Sequence, residues 1–192
     1  MTAALLYVCH LTSEAIFAPV IDLAATRLAS VLRVPAHFLI QLFAIEDKRF
    51  LIHPGVDLIA ALRAAIAILT GAGRLQGAST ITQQLYDAHR ELLGLPRRRT
   101  LGRKLRQAAW AITEDMCKSK QEILSDYLQI VYWGRSYYGL DAAALGYFQT
   151  TRERLSIAQS FFLAERLARP NTVSPGRVCF LLERVAMASL FS

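Results

Sequence analysis

A chain of 192 residues is long enough to bury one proper core, and its 54% apolar content and mean hydropathy of +0.30 exceed the ~45–50% apolar share of ordinary soluble domains. A net charge of +7 points to an anionic partner, whether nucleic acid, an acidic membrane surface or a phosphorylated substrate. Three cysteines, Cys9, Cys117 and Cys179, are odd in number and far apart, which argues against a disulfide framework or a zinc site and for small buried hydrophobes.

The N-terminal stretch MTAALLYVCHLTSEAIFAPVIDLAATRLAS is apolar but interrupted by Glu14, Asp22 and Arg27. It has no basic leader and no uncharged run of the ~18–20 residues a spanning helix needs, so neither a signal peptide nor a clear transmembrane anchor is expected. Membrane contact through apolar surface is still open to it, and residues 1–33 read as a separate apolar segment. The run FLIQLFAI then leads into an acidic pair, Glu46-Asp47, followed by Phe50, His53 and a Pro-Gly break. A carboxylate at the edge of a core is partly desolvated, which raises its pKa toward neutrality and suits a general base. Two solvated acids at a helix end are the ordinary alternative.

Asp57 is placed to cap the helix VDLIAALRAAIAIL, which Gly71 and Gly73 should stop. GRLQGASTITQQL follows, with Ser79 or Thr80 opening a helix that closes on Gly94. Unpaired N–H groups and the dipole at such a start favour a phosphate, and Thr80, Thr82, Gln83 and Gln84 add short polar donors there. No Gly-Lys-Ser/Thr follows the glycines, so this is not a Walker loop. The next helix, from Thr100, carries Leu101, Leu105, Ala108, Ile112 and Met116 at helical spacing. Arg97, Arg98 and Arg99 precede it, and Arg103, Lys104 and Arg106 lie in its first two turns. Cations there oppose the helix dipole, a mild cost that a bound anion would explain. Arg103 and Gln107 are four apart and share a face, with Lys104 beside them. Two more helices carry capping boxes, Ser119 with Glu122 and Ser156 with Gln159, the second pattern ending at Pro170. No alternating strand pattern survives, so the fold is predicted to be all-α.

Taken singly, these signals have bland explanations; their order and spacing do not. The sequence resembles the peptidoglycan glycosyltransferase family, the transglycosylase module of class A penicillin-binding proteins and monofunctional transglycosylases. Its first motif, Glu-Asp-x-x-Phe-x-x-His-x-Gly, is complete as Glu46, Asp47, Phe50, His53 and Gly55. Its second, Gly-x-Ser-Thr-Ile-Thr-Gln-Gln, is Gly77, Ser79, Thr80, Ile81, Thr82, Gln83 and Gln84. The third, Arg-Lys-x-x-Glu, survives as Arg103-Lys104 with Gln107 in the acidic position. The fourth becomes Tyr127, Leu128, Gln129, Tyr132 and Gly134, and the fifth is worn but recognisable in LSIAQSFFLAERLARPN. The likeness runs from about Val34 to about Glu183, so residues 34–192 are taken as the transglycosylase domain.

The resemblance implies a lysozyme-like helical fold with an apolar, membrane-facing jaw lobe, on the outer, periplasmic face of the bacterial inner membrane. It implies lipid II and the growing glycan strand as partners, and no nucleic acid. Glu46 would be the general base; Asp47, Phe50 and His53 would shape its site. Ser79, Thr80, Thr82, Gln83 and Gln84, with Arg103 and Lys104, would bind sugar and pyrophosphate. The family expects a second glutamate at Gln107, thought to help the pyrophosphate leave, through a divalent cation such as Mg²⁺ or by ordering nearby cations; that cation is the one cofactor the resemblance leaves open. Glutamine holds Mg²⁺ far less well. Losing one such transition-state interaction costs about 3–4 kcal/mol, on the order of a hundredfold or more in rate. Asp87, where the family carries lysine, is expected to repel pyrophosphate, with Arg106 or Arg97–Arg99 as compensating cations. The competing readings are a lipid II- or glycan-binding pseudoenzyme, a lysozyme-like hydrolase and a basic nucleic-acid binder. The last leaves the complete first motif unexplained.

Overall fold

The computed structural model describes residues 23–70, 79–96, 100–168, 170–172 and 176–182. Helices α1 (Leu23–Leu32) and α2 (Ala36–Glu46) are followed by α3 (Leu58–Leu69), α4 (Ile81–Leu92), α5 (Leu101–Cys117), α6 (Lys120–Ile130) and α7 (Leu140–Phe148). A 3-10 turn at Arg152–Arg154 leads to α8 (Ile157–Arg166) and helical residues 176–182 (α9). Among the described residues there is no strand beyond one isolated bridge between Tyr132 and Tyr138, so the chain is all-α.

The starts of these helices follow from short polar side chains. Asp57 accepts from Ala60 N (2.9 Å) at the head of α3, and Thr100 accepts from Arg103 N at the head of α5. Thr80 with Gln83, Ser119 with Glu122 and Ser156 with Gln159 form reciprocal capping boxes on α4, α6 and α8. Each cap contributes about 1 kcal/mol by satisfying N–H groups the helix leaves over. The α1–α2 junction is a hydrogen-bonded stop: Arg33 lies in the left-handed region (φ +53°), its N–H donates to Ser30 O, and that of Val34 to Ala29 O. Pro35 cannot continue α1, and α2 departs at 117°.

α2 is apolar on nearly every side, and such a helix belongs in an interior. Phe38, Leu39, Leu42 and Phe43 are buried, and α2 packs along α8. The same core takes Ala25 and Ala29 from α1, Ile81 and Leu85 from α4, and Ile123, Leu124, Tyr127 and Leu128 from α6. Trp133, fully buried after α6, lies 6.4 Å from Phe38 between ring centroids. Each large apolar side chain so buried is worth about 1.5–3 kcal/mol. α4 packs on both α5 and α6, which sets the polar faces of α4 and α5 opposite each other beside the end of α2.

Two faces remain open. On α3, Leu58, Ile59, Leu62, Ile66 and Leu69 are exposed, Leu58 by 75% and Leu69 by 85%. On α5 the periodic stripe Leu101, Leu105, Ile112 and Met116 marks the helix but not its inner face: these residues are exposed, whereas Gln107 and Ala111 are buried. Among the described residues no single helix is long and apolar enough to cross a membrane; α1 and α2 together pass on length and composition but are sharply bent. Gly71, Gly73, Gly77, Arg97, Arg98, Arg99 and Cys9 lie outside the described residues; Cys117 and Cys179 are free and exposed, not buried as their apolar character suggests.

Candidate active site

The acidic pair sits where α2 runs out of helix, and its two members do different work. Asp47 is buried, and its carboxylate is bonded by two groups. His53 Nε2 donates to both carboxylate oxygens (3.0 and 2.9 Å), and Ile81 N, the first amide of α4, donates to Oδ2 at 2.9 Å. Asp47 therefore fastens the loop after α2 to the N-terminus of α4, where the helix dipole favours a negative charge. Glu46, only partly buried, is tied one turn further along α4: Gln84 Nε2 donates to its Oε2 at 2.8 Å. Tyr127 of α6 donates from its hydroxyl to Gln84 Oε1, also at 2.8 Å. Burial, reinforced by the charges of Glu46 and Asp47, pushes the Tyr127 phenol well above its ordinary value near 10, so the hydroxyl stays protonated.

The loop from residue 47 to 57 is clamped on several sides. Phe50 stacks on Phe43, with ring centroids 5.3 Å apart, and meets His53 edge-on. Gly55 lies in the left-handed region (φ +79°), and a Cβ there would fall 2.1 Å from Ala111 O of α5. Only glycine fits a conformation and an approach of that kind. Thr80 Oγ1 donates to Gly55 O at 2.6 Å, holding the loop to the head of α4. At its far end Arg49 pairs with Asp57 (2.7 Å). Burial raises the Asp57 carboxyl, but the Ala60 N–H and the Arg49 guanidinium outweigh it and hold it below the usual carboxylate value.

Across from this loop, α4 and α5 share a polar seam. Lys104 Nζ donates to Ser79 Oγ and to Gln107 Oε1, both at 2.9 Å. Gln107, 1% exposed, returns its Nε2 to Gln83 O at 2.7 Å, so both ends of its amide are engaged. Thr82 donates to Asp115 (3.3 Å), and the Gln83 side chain is committed to the cap of its own helix. Arg103 pairs with Asp87 at 2.5 Å, both side chains mostly buried. Asp87 is thus the counter-charge of Arg103, which the expectation of simple repulsion overlooked.

The sequence-derived site residues that the structure describes therefore fall on the end of α2 and the loop after it, the start of α4 and the first turns of α5. Two further groups join them. Tyr127 belongs to the fourth motif but carried no assigned role. Lys120, at the first position of α6, donates to His53 O (2.6 Å) and Asp115 (2.7 Å) and lies 4.8 Å over the Phe50 ring. A cation opposing the dipole at a helix start is the same signal that singled out Arg103, and it could have singled out Lys120.

A divalent cation does not suit the donors near Gln107. The amide oxygen faces an ammonium and the amide nitrogen is a donor, whereas Mg²⁺ needs several free oxygens in near-octahedral array. Among the described residues no group of three or more His, Cys, Asp or Glu side chains could hold a metal ion.

The family model described as Transglycosylase matches residues 18–187. Penicillin-binding protein 1A of Rickettsia felis is 37% identical over 147 residues, 75% of this chain and 18% of the relative. The protein of that name from Mycolicibacterium smegmatis is 36% identical over 146 residues (74% of this chain, 18% of the relative), and that from Aquifex aeolicus 37% over 146 residues (76% and 20%). The chain thus spans about a fifth of the length of the curated relatives it matches.

Proposed function

The chain belongs to the transglycosylase family, and on that premise we propose that it is a peptidoglycan glycosyltransferase that polymerises lipid II, with Glu46 as general base. Glu46 takes the proton from the 4-hydroxyl of the acceptor sugar. That oxygen bonds to the anomeric carbon of the growing glycan from the face opposite the pyrophosphate. The bond to undecaprenyl pyrophosphate breaks with inversion, and the leaving group carries away the electron pair. The observation that supports this reading is the placement of Glu46. It is a half-open carboxylate held through Gln84 to the first turn of α4, the helix whose start also gathers Ser79 and Lys104. Those donors and the α4 dipole suit a pyrophosphate beside the base. Arg103 contributes there only when Asp87 releases it.

The exposed apolar face of α3 is the part we assign to the membrane, where the lipid tail of such a substrate lies, with the apolar residues 1–33 as a second contact. The protein then works at the outer face of the bacterial inner membrane. Lys104, oriented by Gln107, supplies positive charge toward the leaving group. One observation favours a second reading, binding of lipid II without polymerisation. Gln107 stands where a second acid is expected and is fully engaged in holding Lys104 and the Gln83 carbonyl.

Purified protein incubated with lipid II, beside Glu46→Gln and Gln107→Glu, tests both readings. Polymer from the unmodified chain that Glu46→Gln abolishes upholds the glycosyltransferase. Polymer from Gln107→Glu alone, or lipid II bound but never joined, upholds the binding protein.

A further inference from the structure

We propose that Tyr127 and Gln84 are positioning residues that hold Glu46 ionised and aimed, by fixing which end of the Gln84 amide faces it. The argument rests on the reading of Glu46 as the base. A glutamine side chain can turn either its oxygen or its NH₂ toward a neighbour, and the two choices act oppositely on a carboxylate. An NH₂ donates and favours the charged form; an amide oxygen repels it.

Tyr127 removes the choice. Its ring is fully buried on α6, and a phenol so placed needs a partner. Its hydroxyl donates to Gln84 Oε1, which leaves Nε2 to donate to Glu46 Oε2, each at 2.8 Å. The sequence brings the three together from three helices, 38 residues from Glu46 to Gln84 and 43 from Gln84 to Tyr127. Chained hydrogen bonds of one polarity strengthen one another.

The other charged groups on the elements around the end of α2 have partners of their own. Asp47 is bonded to His53 and to Ile81 N on α4. On α8, Glu165 and Arg166 form a buried pair with each other. On α6, Lys120 is joined to Asp115 and to the His53 carbonyl. The Gln84 amide bonds the Glu46 carboxylate directly, and a single hydroxyl sets its direction.

Tyr127→Phe keeps the ring and deletes that hydroxyl, so it leaves the core filled. With protein carrying ¹³C at glutamate carboxyl carbons, the Glu46 resonance is assigned by its loss in Glu46→Gln and titrated in both backgrounds. The expected result is a rise of roughly one pH unit in the Glu46 midpoint of Tyr127→Phe, matched by the acid limb of lipid II polymerisation. A Gln84→Met variant should shift it in the same direction. An unmoved midpoint in a folded Tyr127→Phe protein, judged by near-UV circular dichroism, overturns the proposal. The titration needs no turnover. A wild type that makes no polymer would therefore count against the glycosyltransferase reading while the midpoint still decides the role of Tyr127.

Discussion

Restoring the expected acid at position 107 should lower stability even where it raises activity. Gln107 has 1% of its surface exposed, with Oε1 accepting from Lys104 at 2.9 Å and Nε2 donating to Gln83 O at 2.7 Å. In Gln107→Glu the first bond, already charge-assisted by the ammonium, becomes an ion pair, a gain of about 1 kcal/mol. The second is lost, at about 1 kcal/mol, and a carboxylate oxygen is left facing a carbonyl. A unit charge 2.7 Å from that oxygen is repelled by the carbonyl dipole by about 1 kcal/mol at an effective dielectric near 20. Desolvating the new charge adds several kcal/mol, most of it returned by Lys104. The sum is a loss of roughly 1–3 kcal/mol. Gln107→Ala gives up both bonds and opens a small void, so about 3–4 kcal/mol is expected. Urea denaturation at neutral pH should rank wild type above Glu above Ala, with the Glu midpoint in heat lower by several degrees. A Gln107→Glu protein as stable as wild type would refute the claim that the amide hydrogen holds Gln83, and would mean that the seam accommodates the acid without loss.

Asp87→Asn removes the counter-charge of a mostly buried guanidinium and should destabilise by about 2–3 kcal/mol. It also frees Arg103, so calorimetry should show tighter binding of inorganic pyrophosphate; unchanged stability would mean the pair is not formed in solution. Gly55→Ala combines a left-handed backbone with a Cβ 2.1 Å from Ala111 O and should cost about 3–5 kcal/mol. Gly94→Ala, with φ +67° but nothing within 4 Å, should cost only about 1 kcal/mol, and equal costs in denaturant melts would contradict the clamp. Asp57 holds its carboxyl below 3.8 in the folded chain. The folded value is the lower one, so its contribution is fully present above 3.8 and is lost as pH falls through the folded value. The stability gap between wild type and Asp57→Asn should accordingly be wide at pH 6 and shrink in strong acid; a gap that does not change with pH would remove the carboxylate from the account.

What the sequence made legible was local. Asp57, Thr80, Thr100, Ser119 and Ser156 all cap helices at or beside the positions their spacing indicated, because a cap depends on residues within four positions of itself. The first two motifs were likewise readable as units, and the structure joins them through Asp47, Glu46, Gly55 and Gln84. What spacing could not settle was partnership across helices. Arg103 and Gln107 share a face at four residues, yet Gln107 bonds Lys104 at three, while Arg103 turns to Asp87 on α4. Both spacings are permitted on a helix, and only the neighbouring helix decides between them. The stripe on α5 misled in the same way. Its apolar residues face outward because the inner face serves a polar seam rather than the core.

The bonds around Glu46 also bear on when the site can exist. Thr80 reaches back 25 residues to Gly55, Ile81 reaches back 34 to Asp47, Gln84 reaches back 38 to Glu46, and Lys120 reaches back 67 to His53. Contacts of such separation close large loops and form late, after helices have grown from neighbouring residues. A nascent chain that has emerged only as far as α5 carries every residue of the first three motifs but not Lys120 or Tyr127. It therefore holds the base without the hydroxyl that orients its partner. Completion of α6 is the step at which this corner of the protein gains that hydroxyl.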